Sequence, residues 1–290
     1  MGGDDIQAFV DEEIFLASSA RNRWHAEYLG CAYRAAVELA TAQVDRNPLI
    51  VLKADLWNEC LGGTRDIVGH FQEKGTFRFF GLDLLYLVCV QGSSRVPTMP
   101  VVQADIRALP FRTGSFDAVL DLSTLDHLPE VGVAQAIGEY RRVLRDSGAL
   151  LLIFWQRNFV IRQRLFLKEL FGRREKLGQH YLARTYVKAK LGRGLVVVRE
   201  FAAGSLLIPP QRLTSLLLGR LPAGALMRLL AWLVPIERSS VARPLLKHIA
   251  GLYGIVALRR RNRDGSLEGG KALDKPADTG WALGTSLERP

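Results

Sequence analysis

Two stretches of this chain carry residue types and spacings that could do chemistry. The first is Leu49 to Gly63, "LIVLKADLWNECLGG". It opens as an aliphatic run and closes on paired glycines, with Lys53, Asp55, Asn58 and Glu59 between. Charged side chains there can hold an ammonium or a carboxylate. Glycines serve a different purpose at such a turn, letting backbone amides approach a ligand and permitting φ > 0. The second stretch is Ala104 to Glu130, "ADIRALPFRTGSFDAVLDLSTLDHLPE". Asp105 ends one apolar run, and its carboxylate can accept from an adenine amino group while Ile106 and the backbone cover the ring. Asp121, Ser123, Thr124 and His127 follow the next run. A histidine placed there can act as a base toward an acceptor hydroxyl.

The elements that must position these residues alternate along the chain. Strand-like segments are expected at 49–54, 76–83, 98–105, 116–122 and 148–155, apolar enough to be covered on both faces. Helices are expected between several of them: "TRDIVGHFQEKG", with Thr64 as N-cap and Gly75 past its end, and "EVGVAQAIGEYRRVLRDSG", closed by Gly148. Such alternation implies a mostly parallel sheet with right-handed crossovers, and a ligand site at the carboxyl ends of its strands.

The second stretch resembles the core of the class I S-adenosylmethionine-dependent methyltransferases, in particular the type 11 (ubiquinone/menaquinone-methyltransferase-like) group. The family pattern D-x-x-x-L-P-F-x-x-x-S-F-D-x-V is matched by Asp105, Leu109, Pro110, Phe111, Ser115, Phe116, Asp117 and Val119. "EYRRVLRDSGALLLIF" resembles the helix and strand that follow. The resemblance implies S-adenosyl-L-methionine as cofactor and a doubly wound, mostly parallel seven-stranded α/β sheet. It also implies Asp83, in "GLDLLY", as the acceptor for the ribose hydroxyls, with Leu84 beside it. Asp105 and Ile106 would meet the adenine, and Asp121 and Leu122 would lie toward the reacting end. A carboxylate at the end of the second strand is also the usual ribose partner in doubly wound sheets. A dinucleotide-binding oxidoreductase would use it likewise, but would not carry the Asp105–Asp117 pattern.

The first stretch departs from the family. Where the resemblance implies D-x-G-x-G-x-G, this chain has Lys53, then Asp55, Trp57 and Glu59 in the glycine positions. The loop resembles a K-T-D-L-W/F-x-E variant found in a subset of type 11-like proteins. The expectation is a loop rebuilt with side chains: Asp55 or Glu59 for the cofactor's ammonium, Lys53 or Arg65 for its carboxylate, and Gly62-Gly63 leading into the next helix. His127 is the candidate catalytic base. His180, Tyr181 and Tyr186 are placed by sequence over the acceptor. Trp24 and Tyr28 either close the cofactor pocket or pack in the core.

The domain layout expected is an N-terminal helical cap (1–47), an α/β core (48–155), and a basic, partly apolar helical insertion serving as acceptor roof (156–250, with a strand at 194–204). A final core strand (251–262) and a disordered tail (263–290) complete it. The formal charge is +10, and residues 157–200 hold twelve Arg and Lys against three Glu. A local basic patch favours anionic partners. Residues 211–235 are apolar, but Arg212, Arg220, Arg228 and Pro222 interrupt them, so packed helices or helices on a membrane surface are expected rather than a span. Three widely spaced cysteines without a CxxC pair argue for reduced thiols and against a zinc site. With an acidic N-terminus, they place the chain in the cytoplasm, with contact at a membrane surface open.

These readings converge on methyl transfer to a large, partly apolar, lipid-linked, isoprenoid or polyketide-like small molecule, and the basic patch leaves room for an anionic one. Two alternatives stay open: a non-catalytic binding domain that has lost the cofactor, and an RNA or DNA methyltransferase. The second is disfavoured because "DLST" stands where amino-methylating DNA enzymes carry N/D-P-P-Y/F.

Overall fold

The computed structural model describes residues 23–61, 66–72, 75–170, 180–203, 217–239 and 241–260. Seven strands form one sheet in the order β3-β2-β1-β4-β5-β7-β6. They are β1 (Leu49–Lys53), β2 (Phe77–Asp83), β3 (Val101–Gln103), β4 (Phe116–Leu122), β5 (Leu144–Trp155), β6 (Leu195–Ala203) and β7 (Leu252–Arg259). β1 to β5 are parallel, and β7 runs antiparallel between β5 and β6. The chain winds outward from β1 to β3, then returns to lay β4 against the other side of β1. That reversal opens a crevice at the carboxyl ends of β1 and β4.

Helices cover both faces. They are α1 (Arg23–Thr41), α2 (Trp57–Leu61), α3 (Ile67–Gln72), α4 (Tyr86–Arg95), α5 (Glu130–Val143), α6 (Phe159–Leu170), α7 (Arg184–Leu191), α8 (Ala223–Arg238) and α9 (Arg243–Ile249). Alternate strand residues serve opposite layers, as period-two geometry requires. Val51, Leu120 and Ile153 face the cluster built with α1, α3, α4 and α8. Leu52, Val119 and Phe154 face the one built with α5 and α7. Both sets are apolar, so the strands read as continuous hydrophobic runs.

Some elements differ from expectation. Helix α5 ends at Val143 rather than near Gly148, and β5 starts at Leu144. The turn is made within β5 by Ser147 at φ 60°, while Gly148 is where Asp117 O and Arg145 O approach too closely for a Cβ. The expected single insertion is two excursions, because 195–203 pairs along the length of β7. α6 and α7 precede that edge strand, and α8 and α9 follow it. α1 is a layer across β4, β5 and β7. Trp24 and Tyr28 are buried in the core of that layer, and the Tyr28 hydroxyl donates to the buried Glu237 carboxylate at 2.6 Å. Residues 1–22 of the expected cap, Gly62, Gly63, Thr64 and Arg65, and the residues after 260, which include the expected tail, lie outside the described residues.

The two motif segments hold each other. Leu109 N donates to Glu139 Oε2 (2.7 Å), while Arg142 donates to the carbonyls of Phe111 (2.7 Å) and Leu109 (2.9 Å) and pairs with Glu139. The "LPF" turn is thereby clamped onto α5. Asp117, at the amino end of β4, accepts from Ile50 N, Arg46 and Arg145. It is a knot at the edge of the sheet opposite the crevice.

Candidate active site

Lys53 is the last residue of β1, and its side chain is 0% exposed. Its ammonium has three donors. It donates to Asp55 O at 2.6 Å and pairs with Asp55 Oδ2 at 3.3 Å and Glu59 Oε2 at 3.1 Å. Glu59, equally buried, turns its other oxygen to the amides of Ile67 and Val68 at 3.2 and 3.3 Å, the open N–H groups that begin α3. Glu59 Oε2 has no well-aligned hydrogen bond and meets Lys53 as an ion pair only. Burial pulls the Lys53 pKa down, but the Asp55 and Glu59 carboxylates outweigh it and leave it raised. Burial raises the Glu59 pKa against the pull of Lys53. Lys53 stays charged because two carboxylates face it. The loop expected after β1 thus contains the short helix α2, and its charged side chains bind one another. Lys53 and Glu59 face inward, and Asp55 retains slight exposure.

Asp83 ends β2 beside this cluster. Its Oδ2 accepts from Leu56 N at 3.0 Å and its Oδ1 from Leu85 N at 2.9 Å. These amides fix the carboxylate's plane and leave lone pairs on both oxygens. Burial raises its pKa despite the two amides. Leu84, next in the chain, is 60% exposed. Asp105 and Ile106 follow β3. The Asp105 carboxylate is gripped by Arg107, through Nε at 3.0 Å and the backbone amide at 2.8 Å, which lowers its pKa. Ile106 is buried in the core layer of α5.

The turn after β4 is tied from three directions. Asp121, 0% exposed, accepts from Thr124 N (2.9 Å) and Leu125 N (3.3 Å) through Oδ1, and from the Tyr140 hydroxyl (2.7 Å) through Oδ2. Burial pushes its pKa up to about 7 from 3.8, despite those donors. The Thr124 hydroxyl donates to Asp55 Oδ2 at 3.2 Å, joining the β4 turn to the β1 loop. Ser123 stands at φ 76°, a left-handed conformation unusual for serine, and its hydroxyl donates to the buried Asp126 carboxylate. Leu122 is buried, and His127 is exposed on the 3-10 turn Leu125–His127. His180 N donates to Asp126 O, and Leu182 N to Trp155 O at 3.0 Å, so residues 180–182 run past this turn. Tyr181 packs edge-on against Trp155, and Tyr186 donates to Glu130 O.

Asp55, Asp83, Asp121 and Thr124 are therefore brought together at the crevice, with Leu84, Asp105 and His127 on loops around it. Sequence reasoning missed Tyr140 and Asp126. A tyrosine on the inner face of α5, needing a partner for its hydroxyl, is the signal that could have found the first.

Residues 60–152 match the family model described as a methyltransferase domain. This segment of the chain, which holds Asp83, Asp105 and Asp121, is similar to that methyltransferase domain. The match begins at Cys60, past Lys53, Asp55 and Glu59, so the rebuilt loop lies outside it. A candidate methyltransferase of Encephalitozoon cuniculi is 41% identical over 56 residues, covering 19% of this chain and 27% of that protein. The matched stretch spans about a quarter of the length of the curated relatives. Among solved structures, the [4+2]-cyclase SpnF has a TM-score of 0.53 at 14% identity, covering 78% of this chain and 80% of that one. Geranyl diphosphate C-methyltransferase from Streptomyces coelicolor A3(2), solved with Mg2+, geranyl diphosphate and S-adenosyl-L-homocysteine, has a TM-score of 0.50 at 15% identity, covering 78% of each chain. These structures share the fold.

Proposed function

We propose that this protein transfers a methyl group from S-adenosylmethionine to a large, partly apolar small molecule. The observation that carries the reading is Asp83, a carboxylate oriented by two amides at the end of β2, beside exposed Leu84. That donor-acceptor set fits the ribose and adenine end of an S-adenosyl group. Asp55, the one residue with residual exposure in the Lys53–Asp55–Glu59 set, fits its ammonium. When bound, the sulfonium supplies an electrophilic methyl carbon.

This chain's residues bind and orient, since in-line approach of the acceptor supplies much of the acceleration. His127 takes the acceptor's proton where that acceptor is a hydroxyl. Residues 180–182, tied to the β4 turn, contribute the roof. The apolar acceptor is supported by the exposed Phe159, Phe166 and Leu170 of α6, which leaves the carboxyl end of β5. The S. coelicolor structure's geranyl diphosphate is an example of such an acceptor on this fold.

A second reading is favoured by the Lys53–Glu59 pair, which fills the end of β1 with side chains, and by SpnF, a cyclase on the same fold. In it the chain binds the cofactor, or an apolar ligand, without transferring methyl. Calorimetric titration with S-adenosylmethionine, using wild type, Asp83→Asn and Asp55→Ala, tests the first reading. Micromolar binding weakened at least tenfold in Asp83→Asn, with unchanged circular dichroism, supports the pocket. No binding by the folded wild type sinks it, and binding without formation of S-adenosylhomocysteine across apolar acceptors moves the assignment to the second.

A further inference from the structure

We propose that the outward faces of α6, α8 and α9 form a docking surface for an anionic lipid membrane. In α6, Ile161 is fully buried, while Phe159, Arg162, Gln163, Phe166 and Leu170 are exposed. Those five positions recur at three, four and seven residues, so they share one face of the helix. The apolar stripe of α6 therefore points away from the core. α8 repeats the arrangement. Leu226, Leu230, Val234 and its single acid, Glu237, are turned inward, and Trp232 is 66% exposed one turn after exposed Arg228. α9 packs against both α6 and α8, exposes Leu245 at 67%, and carries Arg243 and Lys247 with no acid.

Large exposed apolar side chains gathered on neighbouring helices mark an interaction face. What covers it is indicated by charge. Arg162 of α6, Arg228 of α8 and Lys247 of α9 interleave with these aromatic and aliphatic residues, while Glu237 of α8 is buried. A helix with Trp, Phe and Leu outward among basic residues suits the interface of an anionic bilayer. A nucleic acid would match the charge but leave the aliphatic residues wet. Among the described residues no helix is long and apolar enough to cross a membrane, so the attachment is to its surface.

The face also adjoins the crevice. Gln156 and Asn158, at the start of α6, both donate to Ala250 O at the end of α9, beside the carboxyl end of β5. A membrane seated there brings lipid-dissolved molecules to the crevice mouth. That consequence rests on the apolar-acceptor reading; the binding itself does not.

The test is co-sedimentation of the full chain with phosphatidylcholine vesicles, with and without phosphatidylglycerol, for wild type and Trp232→Ser/Leu245→Ser. Both residues are exposed, so the double variant is expected to fold normally and to keep wild-type affinity for S-adenosylmethionine. The expected result is binding to the phosphatidylglycerol vesicles that weakens with salt and falls at least tenfold in the variant. Three results overturn the proposal: no binding to anionic vesicles by folded wild type, binding unchanged in the double variant, or a dimer that the same substitutions dissociate. Calorimetry with S-adenosylmethionine on the same samples reports separately on the methyltransferase reading.

Discussion

The buried carboxyl of Asp121 makes stability depend on pH in a direction opposite to that of a salt-bridged aspartate. Its pKa is about 7 in the folded protein against an ordinary 3.8. Between those values the folded chain holds a proton that the unfolded chain has released. Stability therefore falls as pH rises through that window, and the loss is complete above about pH 7. The gap of about three pKa units, at 1.36 kcal/mol each, sets the loss on the order of 4 kcal/mol.

Asp121→Asn removes the titration while keeping an oxygen for the Thr124 and Leu125 amides, and its NH2 can donate to the Tyr140 hydroxyl oxygen. Urea unfolding of both proteins at about pH 4.5 and about pH 8 isolates the residue, because Asp83 and Glu59, also raised by burial, cancel in the difference. The stability of the Asn variant minus wild type should grow by about 3 kcal/mol toward the alkaline end. A flat difference would show that water reaches the carboxylate. A difference growing toward acid would show that Asp121 is ionised and held by a cation.

Two further outcomes follow from packing and charge. Lys53→Met leaves Glu59 and Asp55 facing each other without their cation and should cost about 3–5 kcal/mol in urea unfolding, most of it recovered by adding Glu59→Gln. A single-variant cost under about 1 kcal/mol would mean the pair is solvated. Gly254→Ala places a Cβ 2.0–2.5 Å from three atoms of the Phe201 ring, at the middle of β7. Overpacking of this kind should cost about 1–3 kcal/mol as a lowered Tm, and Phe201→Leu in the same background should restore part of it.

The sheet was legible because its strands are short aliphatic runs, and β4 falls where the pattern of "FDAVLDL" put it. β5 was less so, since "LRDS" is polar and its pairing with β4 depends on a positive φ at Ser147 that the residue type does not announce. The motif carboxylates stand at or beside strand ends, and their partners lie at very different sequence distances. Asp105 bonds two residues away to Arg107, whereas Asp121 needs Tyr140 from a helix on the other side of the turn. From sequence, Lys53 and Glu59 are expected to meet the cofactor's carboxylate and ammonium, groups of complementary charge. Their mutual neutralisation, which lets both be buried, depends on α2 bringing Glu59 back over the strand end. Only a folded loop reveals that.

β7 is the last strand among the described residues but sits between β5 and β6. Trp155 pairs with Leu252, and Leu195 with Arg259. On the ribosome, β5 must therefore wait with an apolar edge unpaired until its neighbour emerges, and β6 has no place in the sheet before then. Open strand edges template unwanted pairing. The helices made in the interval, α6 to α9, are available to shield that edge during synthesis. Closure of the sheet thus depends on the final described segment of the chain: a polypeptide released before residue 252 lacks the strand that joins β5 to β6.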